Sequence, residues 1–275
     1  MPNSFNEYKI VLSSVASIYS KPSFKSELIT QALFWEKLTI LDSKDNWYKV
    51  KQRDNYVGWL HSFYITDSLV YDNNEFLRDL KNWYWVKDKF LYLKLENGVD
   101  FLVSFGSLVP CLVKREKLFI IFPDNTELAV NKNALINFKD KQDYKKMVSY
   151  ASSQLLGIPY LWGGKSSFGF DCSGLIQAII NVANINSCNV KKSFLPRDAS
   201  KQAESNVLIE NKEEPNKGDV IFFKTKNIID HVGIYINNID FIHSSSYVKV
   251  NSISRRSRYY SSKLKNKLYG IYRIR

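Results

Sequence analysis

Residues 157–184 read GIPYLWGGKSSFGFDCSGLIQAIINVAN. A glycine-rich turn carrying Gly163, Gly164 and Gly169 runs straight into DCSGLIQAIINVAN, where Leu175, Ile176, Ile179 and Ile180 recur at helical spacing on one inward face. Cys172 therefore stands in the first turn of an amphipathic helix, between the polar Asp171 and Ser173 rather than inside an apolar stripe. Unsatisfied N–H groups and the helix dipole at that point favour a thiolate, which predicts a pKa below the usual cysteine value of about 8.5. A lone cysteine ordinarily packs as a small hydrophobe; these neighbours point instead to a working thiol.

Upstream, DYKKMVSYASSQLLG sets Met147, Val148, Ala151, Leu155 and Leu156 at helical spacing. Gly157 ends that helix and Pro159 prevents its continuation. Downstream, DVIFF, HVGIYI, DFIHSS and KLYGIYRIR read as strands. Two helices leading into an antiparallel sheet give residues 141–275 an α+β fold.

The chain has three histidines. His231 opens HVGIYI, and His243 follows in FIHSS, 243 − 231 = 12 residues on. A hairpin through INNID at 236–240 would set both on one sheet, ~5 Å apart at Cβ if they lie opposite. A thiol, a base and a polar group that orients the base compose an activated nucleophile. The two histidines could instead bind a metal with Cys172, although no further ligand is evident. His61 reads as a surface or packed histidine. Cys111, Cys172 and Cys188 are an odd set, too few for a disulfide framework and without metal-site spacing.

Ahead of this half, residues 8–67 read as short strands, YKIVL, ELITQAL, KLTILD, WYKVKQ and YVGWLH, separated by turn-formers. After a polar, helical stretch around DNNEFLRDL, a second β-rich segment follows at 83–138, with WYWVKDKF, LYLKLE, FLVSFGSLVPCLVK, KLFIIF and ELAV as strands. Close-spaced short strands suggest small barrels. The expected domains are 1–70, 71–140 and 141–275.

Of the net charge of +12, residues 1–140 hold 18 Lys+Arg against 17 Asp+Glu. Residues 141–275 hold the remaining 21 against 10. The basic half suits an anionic substrate, nucleic acid, or simply a solvated lysine-rich surface. Without base-stacking motifs a nucleic-acid partner is not expected. No apolar run approaches the ~20 residues of a membrane helix, so no membrane partner is expected. The start, MPNSFNEYKI, lacks a basic segment followed by an apolar one, which predicts a cytoplasmic protein. No cofactor signal is present, and a monomer is expected.

Several strings, in one order between residues 159 and 243, resemble the NlpC/P60 cysteine peptidases. They are Pro159-Tyr160-Leu161-Trp162-Gly163-Gly164, Phe170-Asp171-Cys172-Ser173-Gly174-Leu175, Leu195-Pro196-Arg197-Asp198 with Gln202, Lys217-Gly218-Asp219-Val220, and His231-Val232-Gly233-Ile234-Tyr235 with Ile242-His243. The resemblance implies a papain-like core in which Cys172 attacks, His231 is the base and His243 orients it. It also implies that Tyr160 and the Cys172 N–H stabilise the oxyanion. Arg197 and Gln202 belong to the pattern and are expected to brace the sheet or the cleft wall. Residues 8–67 resemble a bacterial SH3 module, through Pro22, Trp35-Glu36, Trp47-Tyr48-Lys49-Val50 and Tyr56-Val57-Gly58-Trp59-Leu60. Residues 71–140 are taken as a more divergent second one. The fold expected is thus a papain-like catalytic domain preceded by one or two small all-β SH3-like barrels.

That arrangement is similar to the γ-D-glutamyl-L-diamino acid endopeptidases, which cut peptidoglycan stem peptides in cell-wall recycling. The resemblance implies that the first module roofs the cleft and that acidic and tyrosyl groups of both domains hold the free amine of an N-terminal L-Ala. The matching residues here are Asp171, Tyr56 and Glu36, and Ser173 is expected to join them in binding substrate. Alternatives are an exported hydrolase anchored to intact wall by its SH3-like modules, and an amidase or acyltransferase of the same superfamily.

Overall fold

The computed structural model describes residues 8–67, 75–140, 142–183, 194–211 and 213–274. The chain divides into two compact units, Met1–Asp140 and Lys141–Arg275.

In the first unit, β1 (Tyr8–Val11), β2 (Val15–Tyr19), β3 (Leu28–Leu33), β4 (Lys37–Lys44), β5 (Trp47–Lys51), β6 (Val57–His61) and β7 (Ile65–Asp67) form one sheet in the order 3-2-6-5-4-1-7. Alternation turns Val11, Ala16, Ile18, Leu38, Val50 and Leu60 into a common core. A single 3₁₀ turn, Ser62–Tyr64, then lays β7 beside β1. His61 caps that turn, its Nδ1 accepting from the Phe63 N–H at 3.3 Å, so this histidine serves the barrel.

The following segment repeats the pattern. After a short helix α1 (Glu75–Arg78) come β8 (Trp83–Val86), β9 (Phe90–Lys94), β10 (Asp100–Ser104), β11 (Leu108–Lys114), β12 (Lys117–Ile121), β13 (Glu127–Val130) and β14 (Leu135–Asn137). They pair as 10-9 and 13-12-11-8-14, which is the order of the first sheet opened at one seam. Again a 3₁₀ turn, Lys132–Ala134, delivers the last strand to the first. The expected strand FLVSFGSLVPCLVK is two strands, because Gly106 takes a φ of 83° and reverses the chain between β10 and β11. The two β segments share a core: Phe34 and Trp35 pack with Trp83, Val109 and Ile120, and the Trp35 indole donates to the Ile121 carbonyl at 2.7 Å. Of the helix expected around DNNEFLRDL, residues 71–74 lie outside the described residues.

The second unit contains α2 (Tyr144–Leu155), β15 (Lys165–Ser166), β16 (Gly169–Phe170), α3 (Cys172–Val182), α4 (Ala199–Ala203), β17 (Leu208–Glu210), β18 (Val220–Thr225), β19 (Ile228–Tyr235), β20 (Asp240–Ser245), β21 (Tyr247–Ser252), α5 (Ser262–Lys265) and β22 (Leu268–Ile274). Its sheet is antiparallel in the order 17-22-18-19-20-21. Helix α3 packs on β19 and β20 and also against α2. It is buried almost all round rather than on a single face, with only Asn181 partly exposed. Small residues at Ser173, Gly174 and Ala178 let neighbours close over it: a Cβ on Gly174 would stand 2.2 Å from the Gly164 carbonyl oxygen. Asp219 of the Lys-Gly-Asp-Val string is a sheet clamp. It is buried and accepts from Arg273 Nε at 3.0 Å, Asn211 Nδ2 at 2.9 Å and the Asn216 N–H at 2.9 Å, which ties β18 to its neighbours.

Candidate active site

The hairpin β15–β16 brings the chain back on itself, so that Asp171 N–H bonds the Gly164 carbonyl at 2.9 Å and α3 begins directly after it. Asp171 is the N-cap, accepting at Oδ1 from the Gly174 N–H at 2.7 Å. Cys172 thus occupies the first helical position, where backbone N–H groups have no intrahelical acceptor. Its thiol lies 3.9 Å from the Asp230 carbonyl oxygen, and the Val232 N–H also points at it. The sulfur is therefore bracketed by the backbone on either side of His231.

Histidine geometry follows from the sheet. Ile234 pairs with Ile242 and Tyr235 with Phe241. Carrying that register on sets His243 opposite Gly233, so His231 and His243 meet diagonally rather than face to face. The turn at 236–240 is closed by the Asn237 side chain, which accepts from the N–H groups of Ile239 and Asp240. His231 Nε2 lies 2.7 Å from His243 Nδ1, with the rings nearly perpendicular. His243 Nε2 lies 2.9 Å from Asn251 Oδ1 on β21.

Tyr160 is returned to this corner by a bridge to Phe170 and by its N–H bond to the Ser246 carbonyl at 2.9 Å. Burial and the charges of Cys172 and Asp171 push its phenol up to about 12, so it stays protonated and able to donate.

The thiol runs against the pKa expected from the helix start. Cys172 is only 8% exposed, and burial, followed by the Asp171 carboxylate, pushes it up to about 12. Burial, then the His243 charge and Lys249 and Lys267, hold His231 down at about 3. Burial likewise lowers His243 to about 4, against the Asn251 hydrogen bond and with Lys249. The helix dipole, worth up to ~2 kcal/mol, is outweighed by desolvation, which shifts fully buried groups by up to about 3–5 pKa units. Both shifts favour the uncharged forms, a thiol at Cys172 and a neutral imidazole at His231.

Asp171 and Ser173 are engaged within the domain. Arg197 donates to Asp171 Oδ1 at 2.9 Å and Oδ2 at 2.6 Å, and to Ser173 Oγ at 3.0 Å. The Gly163 N–H adds a bond to Oδ2 at 3.0 Å, and Ser173 Oγ one to Oδ1 at 3.3 Å. With Gly174, five donors meet a carboxylate that offers about four lone-pair sites. Asp171, expected to contact a substrate ammonium, is hydrogen-bonded on both carboxylate oxygens within the domain, and its charge is paired with a buried guanidinium. Gln202, fully buried, donates to the carbonyls of Ser173 at 3.0 Å and Pro196 at 2.9 Å. Arg197 and Gln202 were visible in the sequence as a pattern; what they hold was not, and Asn251 carried no signal there at all.

In the other unit, Glu36 sits on the turn between β3 and β4, accepting from Gln52 Nε2 at 2.6 Å and the Leu33 N–H at 3.1 Å. It lines a pocket with Trp35, Arg53 and Trp83. Tyr56 is half-buried just before β6, with its N–H on Asp54 Oδ1 at 3.0 Å. Cys111 is buried in the β core; Cys188 lies outside the described residues.

The NlpC/P60 family model matches residues 157–269. A probable endopeptidase of Haemophilus influenzae is 35% identical over 117 residues, covering 42% of this chain and 68% of that protein. The chain belongs to the NlpC/P60 family. It is a cysteine peptidase of that family, with an SH3 region in front: the model of the bacterial dipeptidyl-peptidase Sh3 domain matches residues 18–62. This NlpC/P60 chain is also 28% identical over 239 residues to a γ-D-glutamyl-L-lysine dipeptidyl-peptidase of Bacillus cereus, covering 80% of this chain and 68% of the relative. A crystal structure of an NlpC/P60 family protein from Bacillus cereus superposes with a TM-score of 0.81, at 22% identity, over 97% of this chain and 99% of that one. Among the described residues no helix is long and apolar enough to cross a membrane.

Proposed function

We propose that this peptidoglycan hydrolase cuts the γ-D-glutamyl bond to the diamino acid of stem peptides, releasing an L-Ala-γ-D-Glu dipeptide. One observation carries the chemistry: the Cys172 sulfur, at the start of α3, is bracketed by the backbone around His231 while His243 holds the far nitrogen of that base. The choice of bond is supported by the relatives, since the match to the B. cereus γ-D-glutamyl-L-lysine dipeptidyl-peptidase extends over 80% of this chain.

In the reaction, His231 takes the thiol proton as Sγ attacks the γ-carbonyl carbon. The oxyanion forms beside the Cys172 N–H and the Tyr160 hydroxyl, both donors before charge develops. His231 then protonates the departing amine, leaving a dipeptidyl thioester that water hydrolyses with His231 as base. A neutral thiol and a neutral imidazole suit this order, in which the proton passes to His231 as the sulfur attacks. Glu36 and Tyr56 are the candidates for holding a free L-Ala ammonium, which would restrict the enzyme to released wall fragments and to recycling. Asp171 and Ser173 serve by fixing the nucleophile turn.

The test is digestion of L-Ala-γ-D-Glu-L-Lys, read by mass spectrometry. L-Ala-γ-D-Glu and free lysine are expected. Cleavage between L-Ala and D-Glu, or no cleavage by a folded enzyme, would remove the assignment.

A further inference from the structure

The polar chain that begins at His231 does not end at His243. Beyond it lies Asn251, on β21, which pairs with Phe241 while its neighbour-but-one Lys249 pairs with His243. Asn251 therefore shares the face of His243, one diagonal step along. Its Oδ1 is 2.9 Å from His243 Nε2, and its Nδ2 donates to the Tyr259 carbonyl at 3.1 Å. That carbonyl also accepts from the Ser252 N–H at 2.9 Å, which anchors it to the end of β21.

The direction of every proton in the chain follows from that last group. A backbone carbonyl can only accept, so the end of the Asn251 amide facing it must be the NH₂. The opposite end is then Oδ1, an acceptor, and the ring nitrogen facing it, His243 Nε2, must carry hydrogen. A neutral imidazole has one N–H, so His243 Nδ1 is a bare acceptor. His231 Nε2, 2.7 Å away, must in turn be the protonated nitrogen of His231. That leaves His231 Nδ1 with the lone pair, the only nitrogen of the ring able to take a proton from the thiol.

Resting on the reading of Cys172 and His231 as nucleophile and base, we propose that Asn251 is a positioning residue that sets the tautomer of both histidines, with the Tyr259 carbonyl as its fixed reference. A histidine pair needs such a reference. Carboxylate in the third place accepts whichever way the base sits, whereas an imidazole can donate or accept and would by itself hold the base in either form. The charged groups beside the pair, Lys249 and Lys267, disfavour a second proton on it and do not select between neutral tautomers.

Long-range ¹H–¹⁵N NMR of the full chain at neutral pH tests this, and with three histidines in the sequence the spectrum can be assigned by substitution. His231 and His243 are both expected in the Nε2–H form. Asn251→Leu should mix the His243 tautomers and lower kcat about ten- to a hundredfold with little change in KM, by the logic of a misplaced tautomer. Asn251→Asp, which keeps an oxygen toward His243, should keep the tautomer and most of kcat. His243 carrying its hydrogen on Nδ1 in the wild-type chain would overturn the proposal, whether or not either variant folds. So would unchanged tautomers in an Asn251→Leu enzyme that has lost kcat. Because tautomers are read without substrate, failure to cleave the γ-D-glutamyl peptide would count against the peptidase reading alone.

Discussion

Arg197 closes on Asp171 with both terminal nitrogens, at 2.9 and 2.6 Å, and the pair is buried beside Cys172 with Arg197 only 2% exposed. The residue that caps α3 is thereby held from outside the helix. Removing one partner strands a buried charge, which costs about 3–5 kcal/mol. Arg197→Met should destabilise the fold by that order in chemical denaturation. Arg197→Met with Asp171→Asn should recover a good part of the loss, because the stranded charge is gone. A loss below about 1 kcal/mol for Arg197→Met would show a solvated pair rather than a buried brace.

The pH dependence has a definite sign. His231 and His243 are held at about 3 and 4 by burial, whereas in an unfolded chain they titrate near 6.5. Between those values the unfolded state binds more protons, so stability is complete above about pH 6.5 and falls as pH drops toward 3. The same shift keeps His231 neutral in mild acid. The acid limb of kcat/KM should therefore lie below pH 6.5, with activity persisting near pH 5. A half-maximal point at or above 6.5 would contradict the buried, neutral base. Burial raises the Cys172 thiol from the usual value of about 8.5 to about 12, so its contribution is present below that usual value and is lost as pH rises toward 12.

His231 and His243 should differ in what their loss costs. His243→Gln retains an amide that can hold His231 by a hydrogen bond and should leave measurable turnover. His231→Gln removes the proton acceptor and should leave essentially none. Single-turnover rates on the tripeptide decide between them, and the reverse order would exchange the two roles.

If Glu36 and Tyr56 hold a free ammonium, acetylating the L-Ala amine should lower kcat/KM by roughly tenfold or more, a charge-assisted pair being worth about 1.5–3 kcal/mol. Glu36→Gln should narrow the gap between free and acetylated peptide. Equal rates on both, together with lysis of intact sacculi, would favour an enzyme acting on the wall itself.

Much of this site was legible in the sequence where the signal is local. The glycine turn before an apolar helix placed Cys172 at a helix start, and INNID between two apolar runs placed both histidines on one hairpin. Partners chosen by tertiary closure were not legible: Arg197 reaches back 26 residues to Asp171, and Gln202 reaches back 29 to Ser173. Asp171 reads as an open-site carboxylate beside Cys172, yet most of its hydrogen-bond donors come from Arg197 and Gly163, which are distant in sequence. The thiol's pKa was misjudged for a related reason. A helix terminus can be read from sequence, but the depth at which the sheet buries it cannot. In the β unit, LVSFGSLVPC shows no period, and only the positive φ of Gly106 divides it into two strands.

The most direct test of Cys172 as the nucleophile for a γ-D-glutamyl substrate uses that substrate's acyl half. L-Ala-γ-D-Glu with its γ-carboxyl converted to a diazomethyl ketone should alkylate one cysteine as activity is lost, and peptide mapping should find the label on Cys172. Buried Cys111, whose thiol burial also raises, and Cys188 should stay unmodified, and Cys172→Ser should take up none. Inactivation with the label on another residue, or undiminished activity in Cys172→Ser, would contradict it.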